Sequence, residues 1–257
     1  MKSPTLFCAL LHQAILAAAS LAFVIIPAPA AETHCPGNAA SVPLRFVNRH
    51  QIVLAVSINH SGPYNFLLDT GTQVTSVDPS LAAELHLEPR GAAVVAGVGS
   101  LQAASYAKLD LLEVGSPSVA GQKVLVFDLR GLDSFGLHIQ GVLGEDFLEH
   151  FDVLIDNAHR LLCLDSSSAM RADVRGPHTA VVTPAGVADG FVLPNLIIVE
   201  ARLSDGSRPV RLMLDSGANV AILFNTSEYL ASPQRGYLLG AGVDGRQRIF
   251  WAPPPHR

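Results

Sequence analysis

The sequence predicts an all-β fold of two related lobes with a few short helices, the second lobe incomplete. Short apolar runs alternate with clusters of Gly, Pro, Ser, Asn and Asp over most of the chain, the punctuation of strands and turns rather than of helices. A unit of strand, turn, strand and Asp-Thr/Ser-Gly occurs twice in the same order, at an offset of about 146 residues. Charged residues are only 15% of the 257, with Lys+Arg 17 against Asp+Glu 22. That balance argues against a partner such as nucleic acid bound through a basic surface.

Residues 1–30 have the layout of a secretory signal peptide. Lys2 precedes an apolar run from Ala14 to Ile26, and Ala28-Pro29-Ala30 offers small residues for cleavage. The run falls short of the roughly 20 residues that span a bilayer, and His12 and Gln13 interrupt its extension toward the N-terminus. The alternative is an uncleaved anchor from Leu6 to Ile26, the one case in which the chain would stay at a membrane. Either way the remainder is expected to be exported, periplasmic or secreted. Cys8 leaves with the signal, so Cys35 and Cys163 remain. An oxidising compartment allows them to pair, but sequence alone does not bring them together. No CxxC and no HExxH occurs, so neither a metal nor a cofactor is expected.

A polar spacer over 31–44 leads into the first lobe, 45–165. Its strands are Ile52 to Ile58, Tyr64 to Leu68, Ala92 to Val98, Leu109 to Val114 and Val124 to Leu129, with His60-Ser61-Gly62-Pro63 and Gly115-Ser116-Pro117 as turns. A helix is expected from Pro79 to Leu87, with Asp78 as N-cap and Pro79 in the first helical position. A shorter one runs from Glu145 to His150. The segment 166–190 is richer in Ser, Pro and Gly and reads as a linker with one strand, Ala180 to Val182. Strands resume at Leu196 to Leu203 and Val210 to Leu214 in a second lobe, 191–257.

The repeat carries the chemistry. Phe66-Leu67-Leu68-Asp69-Thr70-Gly71-Thr72-Gln73-Val74 aligns without gaps to Leu212-Met213-Leu214-Asp215-Ser216-Gly217-Ala218-Asn219-Val220. One Asp-Thr/Ser-Gly alone is an ordinary turn; two, each after three apolar residues, are a paired site. A buried strand delivers the aspartate, the hydroxyl residue satisfies nearby backbone groups, and glycine permits close approach of another backbone. Two carboxylates brought together cannot both ionise easily, so they share a proton and can hold and activate a water.

On these residues the sequence resembles the aspartic proteases, more specifically the retropepsin-like families of bacterial exported proteins. In the first lobe the resemblance covers roughly Val53 to Leu164. Besides Leu67-Leu68-Asp69-Thr70-Gly71 it includes Val142-Leu143-Gly144, Asp146-Phe147-Leu148 and Phe151-Asp152-Val153-Leu154-Ile155-Asp156. It implies two pseudo-symmetric acid-protease lobes with Asp69 and Asp215 catalytic, and with Gly71, Ser216 and Gly217 supporting the catalytic loops. Thr70 would bond across to the opposing lobe. Val142-Leu143-Gly144 would thread beneath the first loop, and a hairpin around Ala96 to Ser105, with Gly97, Val98 and Gly99, would be a flap over a peptide or protein substrate.

In the second lobe Gly240 to Gly245 suggests another flap-like hairpin, and there the match stops. Gly144 follows Asp69 by about 75 residues, which projects to roughly position 290 after Asp215, past Arg257. Pro253-Pro254-Pro255 also cannot supply the ladder donors of a central strand. The expectation is a truncated chain, the alternative a short protein completed by a partner. The leading function is an aspartic endopeptidase. A variant of it is a homodimer that pairs Asp69 with Asp69 of a second molecule, and a peptide-binding protein without catalysis is the reading from another class. Glu145, Asp146, Asp152 and Asp156 fit caps, turns and solvated positions better than a metal site. His86 and His159 fit surface or packing positions, and the Arg246/Arg248 pair fits a solvated hairpin face.

Overall fold

The computed structural model describes residues 35–47, 51–97, 100–173, 176–179, 181, 187–188, 191–192, 196–202, 209–218, 237–241 and 247–251. They are mostly strand, as expected, with a few helices of one or two turns. The N-terminal apolar run lies outside the described residues. Among those described, no helix is long and apolar enough to cross a membrane.

Among the described residues, thirteen strands form before the expected linker: β1 (Ala40–Pro43), β2 (Arg45–Val47), β3 (Gln51–Ile58), β4 (Ser61–Leu68), β5 (Ser76–Val77), β6 (Ala92–Gly97), β7 (Ser100–Lys108), β8 (Leu111–Glu113), β9 (Ser118–Ala120), β10 (Lys123–Val126), β11 (Gly141–Leu143), β12 (Asp152–Asp156) and β13 (Leu161–Asp165). Ten of them make one curled sheet in the order β6-β7-β10-β5-β11-β4-β3-β8-β9, with β2 on β3. The antiparallel hairpin of β3 and β4 lies at its centre, and β11 runs parallel to β4 with Gly141 opposite Phe66 and Leu143 opposite Leu68.

This placement explains the unbroken apolar run before Asp69. Strand side chains alternate between faces, and here both faces are covered. Leu54, Phe66 and Leu68 enter one core cluster with Leu81 and Phe147, while Val53, Leu67 and Val142 enter another with Phe127 and Ile139. Gly141 is the one residue type that fits its place, because a Cβ there would sit 2.2 Å from the Phe66 ring.

Several elements differ from expectation. The turn between β3 and β4 falls on Asn59 and His60, both with positive φ, and strand pairing resumes at Ser61 instead of after Pro63. A two-residue loop with both φ positive matches the strand twist, and Asn tolerates that backbone. Helix α1 (Pro79–Glu84) is capped as expected, Asp78 accepting from Ser80 N at 2.9 Å, but ends before Leu87. The expected spacer is partly structured: β1 pairs antiparallel with β13, which also pairs with β12, and Val42 and Leu44 are buried. Cys35 and Cys163 form a disulfide, Cα atoms 5.6 Å apart, that fastens the N-terminal segment to β13. The expected linker carries a helical turn, α3 (Met170–Asp173), held by Asp165, which accepts from Met170 N at 2.7 Å. The strand expected at Ala180 to Val182 falls largely outside the described residues. Two short strands, β14 (Val187–Ala188) and β15 (Phe191–Val192), pair with each other.

Beyond them, β16 (Ile198–Ala201) and β17 (Val210–Met213) form a hairpin that leads into Asp215 as β3 and β4 lead into Asp69. A further hairpin joins β18 (Tyr237–Ala241) and β19 (Gln247–Trp251). Its connection, 242–246, lies outside the described residues.

Candidate active site

Asp69 leaves the buried end of β4 with its backbone fixed from below, its N–H donating to Leu143 O at 3.0 Å. Val142-Leu143-Gly144 therefore runs under the first loop. The fit is close: a Cβ on Gly144 would lie 2.8 Å from Thr72 O. Glu145 N donates to that same carbonyl at 2.9 Å. Thr75 closes the loop, with its hydroxyl donating to Asp146 Oδ1 at 2.6 Å and accepting from Gly144 N at 3.1 Å. Helix α2 (Glu145–Leu148) follows, and Phe147 is fully buried in the core.

The two Asp-Thr/Ser-Gly turns meet with near two-fold reciprocity. Thr70 Oγ1 donates to Leu214 O at 2.8 Å and accepts from Ser216 N at 3.0 Å. Ser216 Oγ donates to Leu68 O at 2.8 Å and accepts from Thr70 N at 3.1 Å. Each hydroxyl thus satisfies one donor and one acceptor of the opposite turn. The glycines let the carboxyls approach. A Cβ on Gly71 would lie 2.5 Å from Asp215 Cγ, and one on Gly217 would lie 2.5 Å from Asp69 Cγ.

The carboxyls are not equivalent. Asp69 Oδ1 accepts from Gly71 N at 2.8 Å, and its Oδ2 accepts from the Thr72 hydroxyl at 2.9 Å. Asp215 Oδ1 accepts from Gly217 N at 2.8 Å and Ala218 N at 2.9 Å, and alanine offers no hydroxyl. Burial first, then the charge of Asp215, pushes the Asp69 carboxyl up to about 7, against the opposing bonds from Thr72 and Gly71. A pair so placed retains a proton well above the usual carboxylate range and can present one acid and one base to the same water.

Of the remaining sequence-predicted residues, Gly97 ends β6 opposite Ser100 in the hairpin of β6 and β7; Val98 and Gly99 lie outside the described residues. Asp152 pairs with Arg171, and Asp156 with His159 at 2.7 Å. Among the described residues no group of three or more His, Cys, Asp or Glu is arranged to hold a metal. Four contributors escaped the motif: Thr72, Thr75, Glu145 and Gln51. The buried Gln51 donates from Nε2 to Gly217 O at 3.5 Å. Only Thr72 had a local signal, a hydroxyl three residues after Asp69. Under the second loop, Asp215, Ser216 and Ala218 border a cavity of about 770 Å³ shared with Phe46, Ile52, Ile155, Asn157 and Arg160.

Residues 54–147 match a family model described as Aspartyl protease. Among solved structures, a retropepsin-like aspartic protease from Rickettsia conorii aligns at 18% identity over 49% of this chain and 88% of its own, with a TM-score of 0.35. The retroviral protease-like domain of Ddi1 from Leishmania major aligns at 15% identity over 45% of this chain and 93% of its own, with a TM-score of 0.31. No curated protein matches the chain.

Proposed function

We propose that the protein is a retropepsin-like aspartic endopeptidase in which Asp69 and Asp215 of one chain activate a water to hydrolyse peptide bonds. The observation that carries this reading is the mutual approach of the two carboxyls over each other's glycine, with Asp69 held far above its ordinary ionisation range. The ionised member takes a proton from water as its oxygen attacks the scissile carbonyl carbon. The protonated member gives its hydrogen to the carbonyl oxygen, so a tetrahedral diol forms with no net change of charge. Collapse of the diol breaks the C–N bond and returns a proton to the pair as the amine nitrogen takes the other. Thr70, Gly71, Ser216 and Gly217 hold the geometry, and the hairpin of β6 and β7 serves as the flap over the peptide.

Cleavage of a peptide mixture by the full chain between pH 3 and 7 tests this. Asp69→Asn and Asp215→Asn should each abolish it. Full activity in Asp215→Asn would leave the variant that pairs Asp69 across a homodimer. We assign the protein to the exported space, with residues 1–30 removed; an N-terminus beginning near Ala31 on the mature protein is the expected result. A second reading, a peptide-binding protein without catalysis, draws on the cavity beside Asp215. Peptide capture by wild type without cleavage at any pH would favour it.

A further inference from the structure

Gln51 is the first residue of β3 and, although polar, is 4% exposed. Strand alternation puts its side chain on the face of Val53, and its Nε2 donates to Gly217 O at 3.5 Å. The carbonyl it reaches belongs to the peptide unit whose N–H is that of Ala218, and Ala218 N donates to Asp215 Oδ1 at 2.9 Å. One peptide unit therefore lies between the Gln51 amide and the Asp215 carboxyl, with a hydrogen bond at each end. Such a unit is held in orientation from both sides, and each bond polarises it for the other.

The repeat shows that this is an addition to one loop and not part of the common plan. Val53 pairs with Leu67 and Ile198 with Met213, and each of these partners stands two residues before its aspartate. Gln51 in the first hairpin thus corresponds to Leu196 before the second, which is also buried and carries no side-chain donor. The loops differ in the other direction as well. Asp69 receives the Thr72 hydroxyl, whereas Ala218 offers Asp215 only its N–H. Each aspartate has one supplementary support, a hydroxyl for Asp69 and a braced peptide for Asp215. Burial of a polar side chain is costly where leucine takes the equivalent place, and the Gln51 Oε1 has no hydrogen-bond partner among the described residues. The packing of the fold alone does not call for a glutamine there.

We propose that Gln51 is a positioning residue of Asp215, which braces the Gly217–Ala218 peptide so that the Ala218 N–H stays aimed at the carboxyl. It acts through the backbone of the second loop. The consequence for turnover rests on the peptidase reading; the brace itself does not.

The test compares wild type with Gln51→Met, which keeps the length of the side chain without its donor, and with Gln51→Leu, the residue of the equivalent place. All readings are taken on the full chain. With the brace removed, kcat for peptide cleavage should fall about tenfold, equivalent to about 1.4 kcal/mol of transition-state stabilisation, while KM stays nearly constant. Tm should fall by no more than about 2 °C, well under one buried hydrogen-bonded group's worth in a chain of this size. A third reading needs no activity: the Ala218 amide should exchange with solvent deuterium several-fold faster, whereas the Thr72 amide of the first loop keeps its rate. Unchanged kcat, or a rise in KM alone, would overturn the proposal. So would a fall of Tm in step with kcat in both variants, the mark of a merely structural role, or an Ala218 amide that either does not respond or loosens equally with Thr72. If wild type cleaves nothing at any pH, the peptidase reading fails, and amide exchange with Tm decides whether Gln51 braces the loop.

Discussion

Thr70 and Ser216, 146 residues apart, exchange two hydrogen bonds, each hydroxyl accepting the other residue's N–H, and each hydroxyl also donates across to a carbonyl of the opposite turn, Leu214 O or Leu68 O. This exchange, more than either aspartate, makes one site of two loops. Thr70→Val keeps the shape but removes the hydroxyl partner of Leu214 O and Ser216 N in a half-buried place. A hydrogen bond of this kind contributes about 0.5–1.5 kcal/mol net. Urea unfolding should show a loss of that size, and peptide cleavage should fall with it. Thr70→Ser, which keeps the hydroxyl, should restore most of both.

Thr72 supplies an asymmetry that Ala218 cannot mirror. Its hydroxyl on Asp69 Oδ2 favours the ionised form, opposing the burial that raises this carboxyl. A hydrogen bond worth about 1 kcal/mol converts, at about 1.4 kcal/mol per unit, to roughly 0.7 unit. In Thr72→Ala the basic limb of the kcat/KM profile, where Asp69 gives up its proton, should therefore move to higher pH by about that amount.

The two glycines at the centre predict different failures. In Gly71→Ala the new methyl would meet the Asp215 carboxyl at 2.5 Å, so the pair must part. Cleavage should be lost while the fold, assayed by circular dichroism, persists. In Gly141→Ala the clash is with the Phe66 ring at 2.2 Å, inside the core. Overpacking typically costs about 1–3 kcal/mol, and that loss should appear in unfolding experiments.

What was legible in the sequence was local, or repeated. Phe66-Leu67-Leu68 announced a buried strand, and the second copy before Asp215 turned an ordinary turn motif into a pair. Thr70 crossing to the other loop was implied by resemblance, since no local pattern shows which backbone its hydroxyl reaches. Val42 and Leu44 were hidden in a polar stretch because their burial depends on β13, which is more than a hundred residues distant. Glu145 was read with Asp146, Asp152 and Asp156 as suited to caps, turns and solvated positions, and its burial at 6% exposure was hidden for a similar reason. Acidic residues are usually solvated, and its burial follows from Gly144 seating the chain against Thr72 rather than from its own neighbours.

The disulfide between Cys35 and Cys163 closes a span of 128 residues. It ties the segment before β1 to β13, beside Met170. Closing a long loop restricts the unfolded chain, and loss of such a bond commonly costs about 2–5 kcal/mol. Cys35→Ser with Cys163→Ser should lower Tm accordingly. The aspartate pair lies on other strands, so cleavage measured well below the new Tm should be retained.

The pair also predicts how stability depends on pH. Asp69 holds its proton to about 7 in the folded chain, whereas an unfolded aspartate releases it near 4. Between those values the folded state binds the extra proton, so stability falls as pH rises, by at most about 1.4 kcal/mol per unit for each such group. Below about 4 both states are protonated and the burial penalty is absent; above about 7 both are ionised and it is fully present. Wild type should therefore lose Tm steadily from pH 4 to 7. Asp69→Asn removes one titrating group and should reduce that slope, and the remainder should persist because Glu145 is shifted in the same direction. A wild-type Tm that rises over this range would mean that the carboxyls are ionised in the folded chain, and the shared-proton pair would have to be abandoned.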